Sequence, residues 1–249
     1  MRSSALFLLT FLSTTSALAA QSDSPQRFRF DFGVGAGDFR HETDSSNFDG
    51  DTDGGFARLR FEGVSRSGFG GGLRLESWGS DDDLFQNEGF TAQEAFARDF
   101  YGHFTFRAGR DNFMMPIRVG LMLNQYELEG ASSGTTTLEV TTIGPRFEVA
   151  PEFTFNRGSI VEVSAYGEMG FGAGYSSIEI GTLSADFDSA SLLWGFEFGA
   201  RARYRFAELG LAFVSHGMVM EESDAVGSTF VNGFGAGFTG VMFTAAFVF

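Results

Sequence analysis

The chain has 249 residues, including 32 Phe, 34 Gly and no Cys, and a formal net charge of −15 at pH 7. Its 17 Lys or Arg positions are all Arg. The length fits one domain, the missing cysteine excludes a disulfide scaffold, and no apolar run after the first segment approaches the ~20 residues a membrane helix needs. No nucleic-acid partner is expected of so acidic a chain.

The first segment carries Arg2, an apolar run from Ala5 to Leu12, and then Ala17-Leu18-Ala19. A basic start, a short apolar stretch and small residues at its end read as a secretory signal peptide over residues 1–19. Residues 20–26 follow as a short leader, and residues 27–249 form the folded part.

From Arg27 the sequence has period two. Phe28, Phe30, Phe32, Val34 and Ala36 fall on one face of a strand, with Arg27, Arg29 and Asp31 on the other. Second and third strands set Ala57, Leu59 and Phe61 against Arg58, Arg60 and Glu62, then Phe69, Leu73 and Leu75 against Arg74 and Glu76. A fourth sets Phe100, Phe104 and Phe106 against Asp99, His103 and Arg107, and a fifth sets Ile117, Val119, Leu121 and Leu123 against Arg118 and Asn124. The sixth opposes Ile143, Phe147, Val149, Phe153 and Phe155 to Arg146, Glu148 and Glu152, and the seventh opposes Val161, Val163, Met169 and Phe171 to Glu162 and Glu168. In the eighth, Trp194, Phe196, Phe198 and Tyr204 face away from Glu197, Arg201, Arg203 and Arg205. Leu209, Leu211 and Phe213 make a ninth strand, and Val241, Phe243, Ala245, Phe247 and Phe249 a tenth.

Connections alternate in length. Tight turns are expected at 65–68, 108–112, 156–159 and 207–208, and longer loops near 40–54, 79–93, 129–137, 174–190 and 220–229. Those loops hold sixteen acidic residues and one base, Arg40. The exceptions to the alternation, Asp38, Arg98, Glu127 and Glu139, lie toward loop ends, where a charge reaches water. The expected fold is an all-β, closed antiparallel transmembrane barrel of about ten strands, with short periplasmic turns and long extracellular loops. A β-sandwich shares the period of two, but does not account for the near balance of Arg with Asp and Glu on the polar faces. Pro116, Pro145 and Pro151 each remove a ladder donor, so the sixth strand is open to a bulge and a count of eight or twelve remains possible.

The last strand ends Val241-Met242-Phe243-Thr244-Ala245-Ala246-Phe247-Val248-Phe249, with apolar residues at every second position. Val241, Phe243, Phe247 and Phe249 resemble the C-terminal assembly signal of bacterial outer-membrane proteins, which implies recognition by the barrel assembly machinery. Residues 27–249 as a whole resemble the small outer-membrane barrels that include the transmembrane domains of outer-membrane proteins A and X. The resemblance implies a place in the outer membrane, among its lipids and lipopolysaccharide.

The candidate site is the barrel interior. Arg58, Arg60, Glu62, Arg74, Glu76, Asp99, Arg107, Arg118, Arg146, Glu148, Glu162, Glu168, Glu197, Arg201, Arg203 and Arg205 are expected to form a lumen charge network. Arg suits a crowded polar interior because its planar fork pairs with carboxylates. Gly70, Gly72, Gly195 and Gly199 would leave space for the long side chains. A barrel of this size is about wide enough to be filled by side chains, so a plug is expected ahead of a narrow channel. No catalytic group is expected: His103 and Asp99 are about 13 Å apart along one strand, and Ser215 and His216 point to opposite faces. Asp49, Asp51 and Asp53 match the first half of a calcium loop, but Arg60 stands where its bidentate Glu belongs, so only weak calcium binding is entertained and no other cofactor. A lipid-modifying enzyme or protease is the third alternative.

Overall fold

A computed structural model of the chain describes residues 27–43, 50–80, 91–110, 112–132, 134–181, 187–226 and 230–249. The expected signal peptide, the leader and Asp49 lie outside them. Eleven strands are present: β1 (Arg27–Thr43), β2 (Gly50–Val64), β3 (Phe69–Ser80), β4 (Thr91–Arg110), β5 (Phe113–Ser132), β6 (Gly134–Val149), β7 (Glu152–Thr154), β8 (Val161–Ile180), β9 (Phe187–Tyr204), β10 (Ala207–Met220) and β11 (Phe234–Val248). Apart from β6 and β7, neighbours in sequence pair antiparallel, and β11 returns to β1 with Phe247 opposite Phe30 and Phe238 opposite Phe39. The sheet is thereby closed and has no free edge.

The wall has ten staves, because β6 and β7 form one. Both pair with β5 in a single register, Val149 opposite Ile117 and Phe153 opposite Phe113, and both pair with β8 in a single register. The expected irregularity at Pro151 is therefore a break in hydrogen bonding with no residue inserted. Its neighbours stay satisfied: the Ala150 amide donates to the Pro116 carbonyl at 2.9 Å, and the Gly167 amide to the Pro151 carbonyl at 2.9 Å.

Two expectations are corrected at the strand ends. The last tight turn is at Arg205 and Phe206, while Ala207 and Glu208 open β10 opposite Tyr204 and Arg203. A two-residue hairpin loop needs positive φ, and Arg205 adopts it at 54°. At the other end the strands run on into the expected loops. β2 begins at Gly50, β5 and β6 pair as far as Ser132 and Gly134, and β8 reaches Ile180. Asp51, Asp53, Glu129 and Glu179 are thus residues of the wall.

Strand length explains why acidic residues can stand there. β4, β5 and β8 have 20 residues each, whereas about 9–11 tilted residues cross the hydrocarbon. The outer face changes character along each stave. In β1 exposed Phe28, Phe30, Phe32 and Val34 give way to exposed Asp38 and Arg40; in β2 Phe61 and Leu59 give way to Asp53 and Asp51. In β8 Val161, Val163, Met169 and Phe171 give way to Ser177 and Glu179. The turn-end half is dressed for lipid and the loop-end half for water.

The inner face changes in the opposite sense. β1 turns Asp31 inward in the lipid-facing half and Phe39 in the water-facing half; β2 turns in Arg60 and Arg58, then Phe56. Phe39, Phe56, Trp78, Tyr126, Val140, Ile178, Phe187, Met218, Met220, Phe234 and Phe238 belong to one buried cluster inside the loop-end half. An Arg- and Glu-lined lumen was expected; among the described residues the buried Arg, Asp and Glu occupy the half that the membrane surrounds. Replacing Met169 by Arg in the lipid-facing band is expected to cost about 2–4 kcal/mol, while Glu179→Arg, on the same face of the same strand, leaves the unfolding midpoint unchanged. Urea unfolding in lipid vesicles measures both.

Candidate functional site

The charged layer is centred on Glu168 of β8. Its carboxylate accepts from Arg60 Nη1 at 2.7 Å, Arg74 Nη1 at 2.6 Å and Arg118 Nη1 at 2.9 Å, from β2, β3 and β5 on other sides of the barrel. Arg118 also donates to Glu62 from Nη2 at 3.0 Å and from Nε at 3.3 Å, and Thr105 adds a hydroxyl donor to Glu62 at 2.8 Å. Glu148 accepts from Arg146 Nε at 2.9 Å and from Arg74, and Arg146 reaches on to Asp99. Glu197 accepts from Arg58 and, at 2.6 Å, from the Tyr166 hydroxyl. Glu76 lies within 3.4 Å of Arg74 Nε and 3.6 Å of His216 Nδ1, contacts without hydrogen-bond geometry.

Each charge here is almost wholly out of water. An unpaired ion in such a place costs several kcal/mol, so only mutual compensation makes the layer tenable. Arg supplies it by dividing one guanidinium among several acceptors, as Arg74 does between Glu148 and Glu168. Aromatic faces help: Tyr101 has Arg74 at 5.3 Å and Arg146 at 5.4 Å from its ring centre. Glycine gives these groups room. A Cβ at Gly195 would lie 3.1 Å from the His216 ring and 3.2 Å from an Arg146 nitrogen, one at Gly170 would lie 3.1 Å from Glu148 Oε1, and one at Gly72 would meet the Phe61 carbonyl oxygen as well as His103 Nε2 at 2.9 Å. Gly70 and Gly199 instead face backbone of the adjoining strands.

Of the sixteen expected residues, eleven lie in this layer: Arg58, Arg60, Glu62, Arg74, Glu76, Asp99, Arg118, Arg146, Glu148, Glu168 and Glu197. Arg107, Glu162, Arg201 and Arg203 line cavities at the turn-end mouth. Arg205 is not in the lumen: its place in the turn leaves it exposed, with its guanidinium 5.2 Å from the Tyr204 ring centre. Among residues left out of the expected set, Asp31 is fully buried, accepts from Arg58 Nε at 3.1 Å and from Arg29 Nη2 at 2.7 Å, and shares parity with Arg29. Glu208 had been expected in a turn, and it pairs with Arg29 at 2.7 Å.

Outside the layer, Asp51 and Asp53 stand exposed on the outer face of β2, opposite Arg40 and Asp38 of β1. Their expected calcium loop is thus partly strand, and among the described residues no group of three or more His, Asp or Glu could hold a metal ion. His103 lies in the interior with neither ring nitrogen hydrogen-bonded, and His41 Nδ1 is 2.7 Å from the Tyr126 hydroxyl. Ser215 faces out to Thr239 at 3.0 Å while His216 faces in. Val241, Phe243, Phe247 and Phe249 all point outward, and Phe249 closes the ring by exchanging backbone hydrogen bonds of 2.9 and 3.0 Å with Phe28.

Glu168→Gln removes the acceptor that three arginines share. It is expected to lower unfolding stability by about 3–5 kcal/mol, the usual cost of breaking a buried ion pair from one side, whereas Arg205→Ala leaves the unfolding midpoint in place. Denaturant titration of the folded barrel distinguishes the two.

No family model and no curated protein matches this sequence. Solved structures do. The outer membrane protease OmpT from Escherichia coli aligns with a TM-score of 0.50 at 8% identity, over 92% of this chain and 98% of that one. The translocator domain of the autotransporter NalP from Neisseria meningitidis gives 0.40 at 9% identity, over 98% and 96%. The toluene transporter TodX from Pseudomonas putida gives 0.33 at 7%, over 92% and 91%. At such identities the likeness is one of fold, and the narrower resemblance to outer-membrane proteins A and X has no family match behind it. The chain has the fold of bacterial outer-membrane β-barrels.

Proposed function

We propose that this chain is a closed, non-conducting and non-enzymatic barrel of the outer membrane, with a role in envelope structure and surface display. The observation that carries this reading is the double filling of the interior. Along the axis the ion-paired layer around Glu168 is followed by the apolar cluster around Phe39, Phe56, Trp78, Phe234 and Phe238. A permeating ion would have to break the first and shed its hydration to cross the second. The fold shared with a protease carries no activity with it. His103 and His216 lie among arginines within the wall, where a substrate has no approach.

In this role the partners are outer-membrane lipids and lipopolysaccharide along the aromatic band, and the barrel assembly machinery at the strand ending in Phe249. The outward carboxylates of the water-facing half, Asp38, Asp51, Asp53 and Glu179, give a surface on which divalent cations bridge to anionic lipopolysaccharide. Reconstitution into planar bilayers tests the closed state. The proposal expects no stepwise conductance from the purified barrel; discrete, reproducible current steps would establish the narrow channel in its place.

A further inference from the structure

The interior charges are not equally well matched along the axis. At the turn-end mouth Arg29 is paired with Asp31 and Glu208 at 2.7 Å each, Arg201 with Glu152, and Arg203 with Glu162. Arg27 and Arg107 differ. Among the described residues neither has a carboxylate within ion-pair distance, yet Arg107 is only 9% exposed and its Nη1 is buried without a hydrogen-bond partner. Both line a cavity of about 60 Å³ inside the mouth and a second of about 20 Å³ beside it. The larger has seven arginines and four glutamates among its described lining residues.

A guanidinium withdrawn from water is strongly disfavoured unless an anion meets it. Arg27 and Arg107 line one cavity, and Arg203 beside them is already paired with Glu162. The same arrangement is attractive to a ligand. Each guanidinium presents planar N–H donors matched to a pair of oxygens on carboxylate or phosphate. A cavity of about 60 Å³ takes one such group and little more. The way onward is blocked by the ion-paired layer around Glu168.

We infer that the periplasmic mouth of the barrel is a binding site for a small free oxyanion, a phosphate or a carboxylate, gripped by Arg27 and Arg107. Arg29, Arg201 and Arg203 shape the site but spend their own charge on Asp31, Glu152, Glu162 and Glu208. The site faces the periplasm, so it takes its ligand from that compartment and does not require the barrel to conduct. It stands or falls separately from the closed state proposed above.

The test is calorimetric titration of the purified, folded barrel in a non-ionic detergent, with inorganic phosphate in one arm and acetate in the other, at ionic strength held constant with chloride. Saturable binding of one oxyanion per barrel is expected, weakened tenfold or more by Arg107→Gln and by Arg27→Gln and unchanged by Arg40→Gln at the opposite end. Saturation by phosphate alone assigns a phosphoryl ligand, and saturation by both assigns oxyanions generally. Melting in chloride alone supplies the second readout: Arg107→Gln should melt no lower than the unsubstituted protein, because it removes a charge that has no carboxylate within ion-pair distance among the described residues. Absence of saturable binding in both arms, binding unaffected by Arg107→Gln, or a lower melting temperature for that variant in chloride would each overturn the inference.

Discussion

What surrounds the wall decides what the wall can hold inside. A β-strand divides its side chains between two faces, and in a closed barrel one face is always outside. Where hydrocarbon lies outside, the outward positions must be apolar, as Phe28, Phe30 and Phe32 are, and the polar residues of the alternation are driven inward. Where water lies outside, as beside Asp38 and Arg40, the constraint is lifted and the interior reverts to the apolar core of a soluble β-protein. The alternation holds along β1 and β2; only its meaning reverses, between Asp31 and Phe39 in β1 and between Arg58 and Phe56 in β2.

The ion-paired layer follows from that constraint. Charges forced inward must compensate one another, and the sharing of Glu168 among Arg60, Arg74 and Arg118 ties three strands to a fourth across the lumen. The apolar cluster beyond it keeps water off one side and so strengthens each contact, while making any unmatched group more costly. Among the described residues, Arg27 and Arg107 at the turn-end mouth, which opens to solvent, have no carboxylate within ion-pair distance. There a basic surplus is tolerable, and a small anion has something to bind.

The ten staves, their antiparallel order and the closing strand were legible in the sequence, because each rests on the period of two and on turn residues. So were eleven of the interior charges, since parity with an aromatic neighbour fixes the face. The apolar core was not legible in the same way. Phe39 and Phe56 share parity with Arg29 and Arg58, and period alone cannot say where membrane ends and water begins. Asp38, Arg98, Glu127 and Glu139, which break the polar-inward rule at loop ends, were the trace of that boundary. Arg205 was misplaced for a different reason: alternation run through Tyr204 and Phe206 hides a hairpin turn that only the positive φ of Arg205 reveals. Asp51, Asp53, Glu129 and Glu179, assigned to loops, were in strands because β-ladders do not stop at the membrane surface.

The reversal itself can be measured directly along β2, since the chain lacks cysteine and a single introduced one carries a unique spin label. Labels at positions 51, 53, 56, 58, 59 and 61 of the barrel in lipid vesicles would be compared for relaxation by oxygen, which partitions into lipid, and by a water-soluble nickel chelate. The account predicts nickel access at 51 and 53, oxygen access at 59 and 61, and access to neither at 56 and 58. Strong oxygen access at 53, or nickel access at 56, would contradict it.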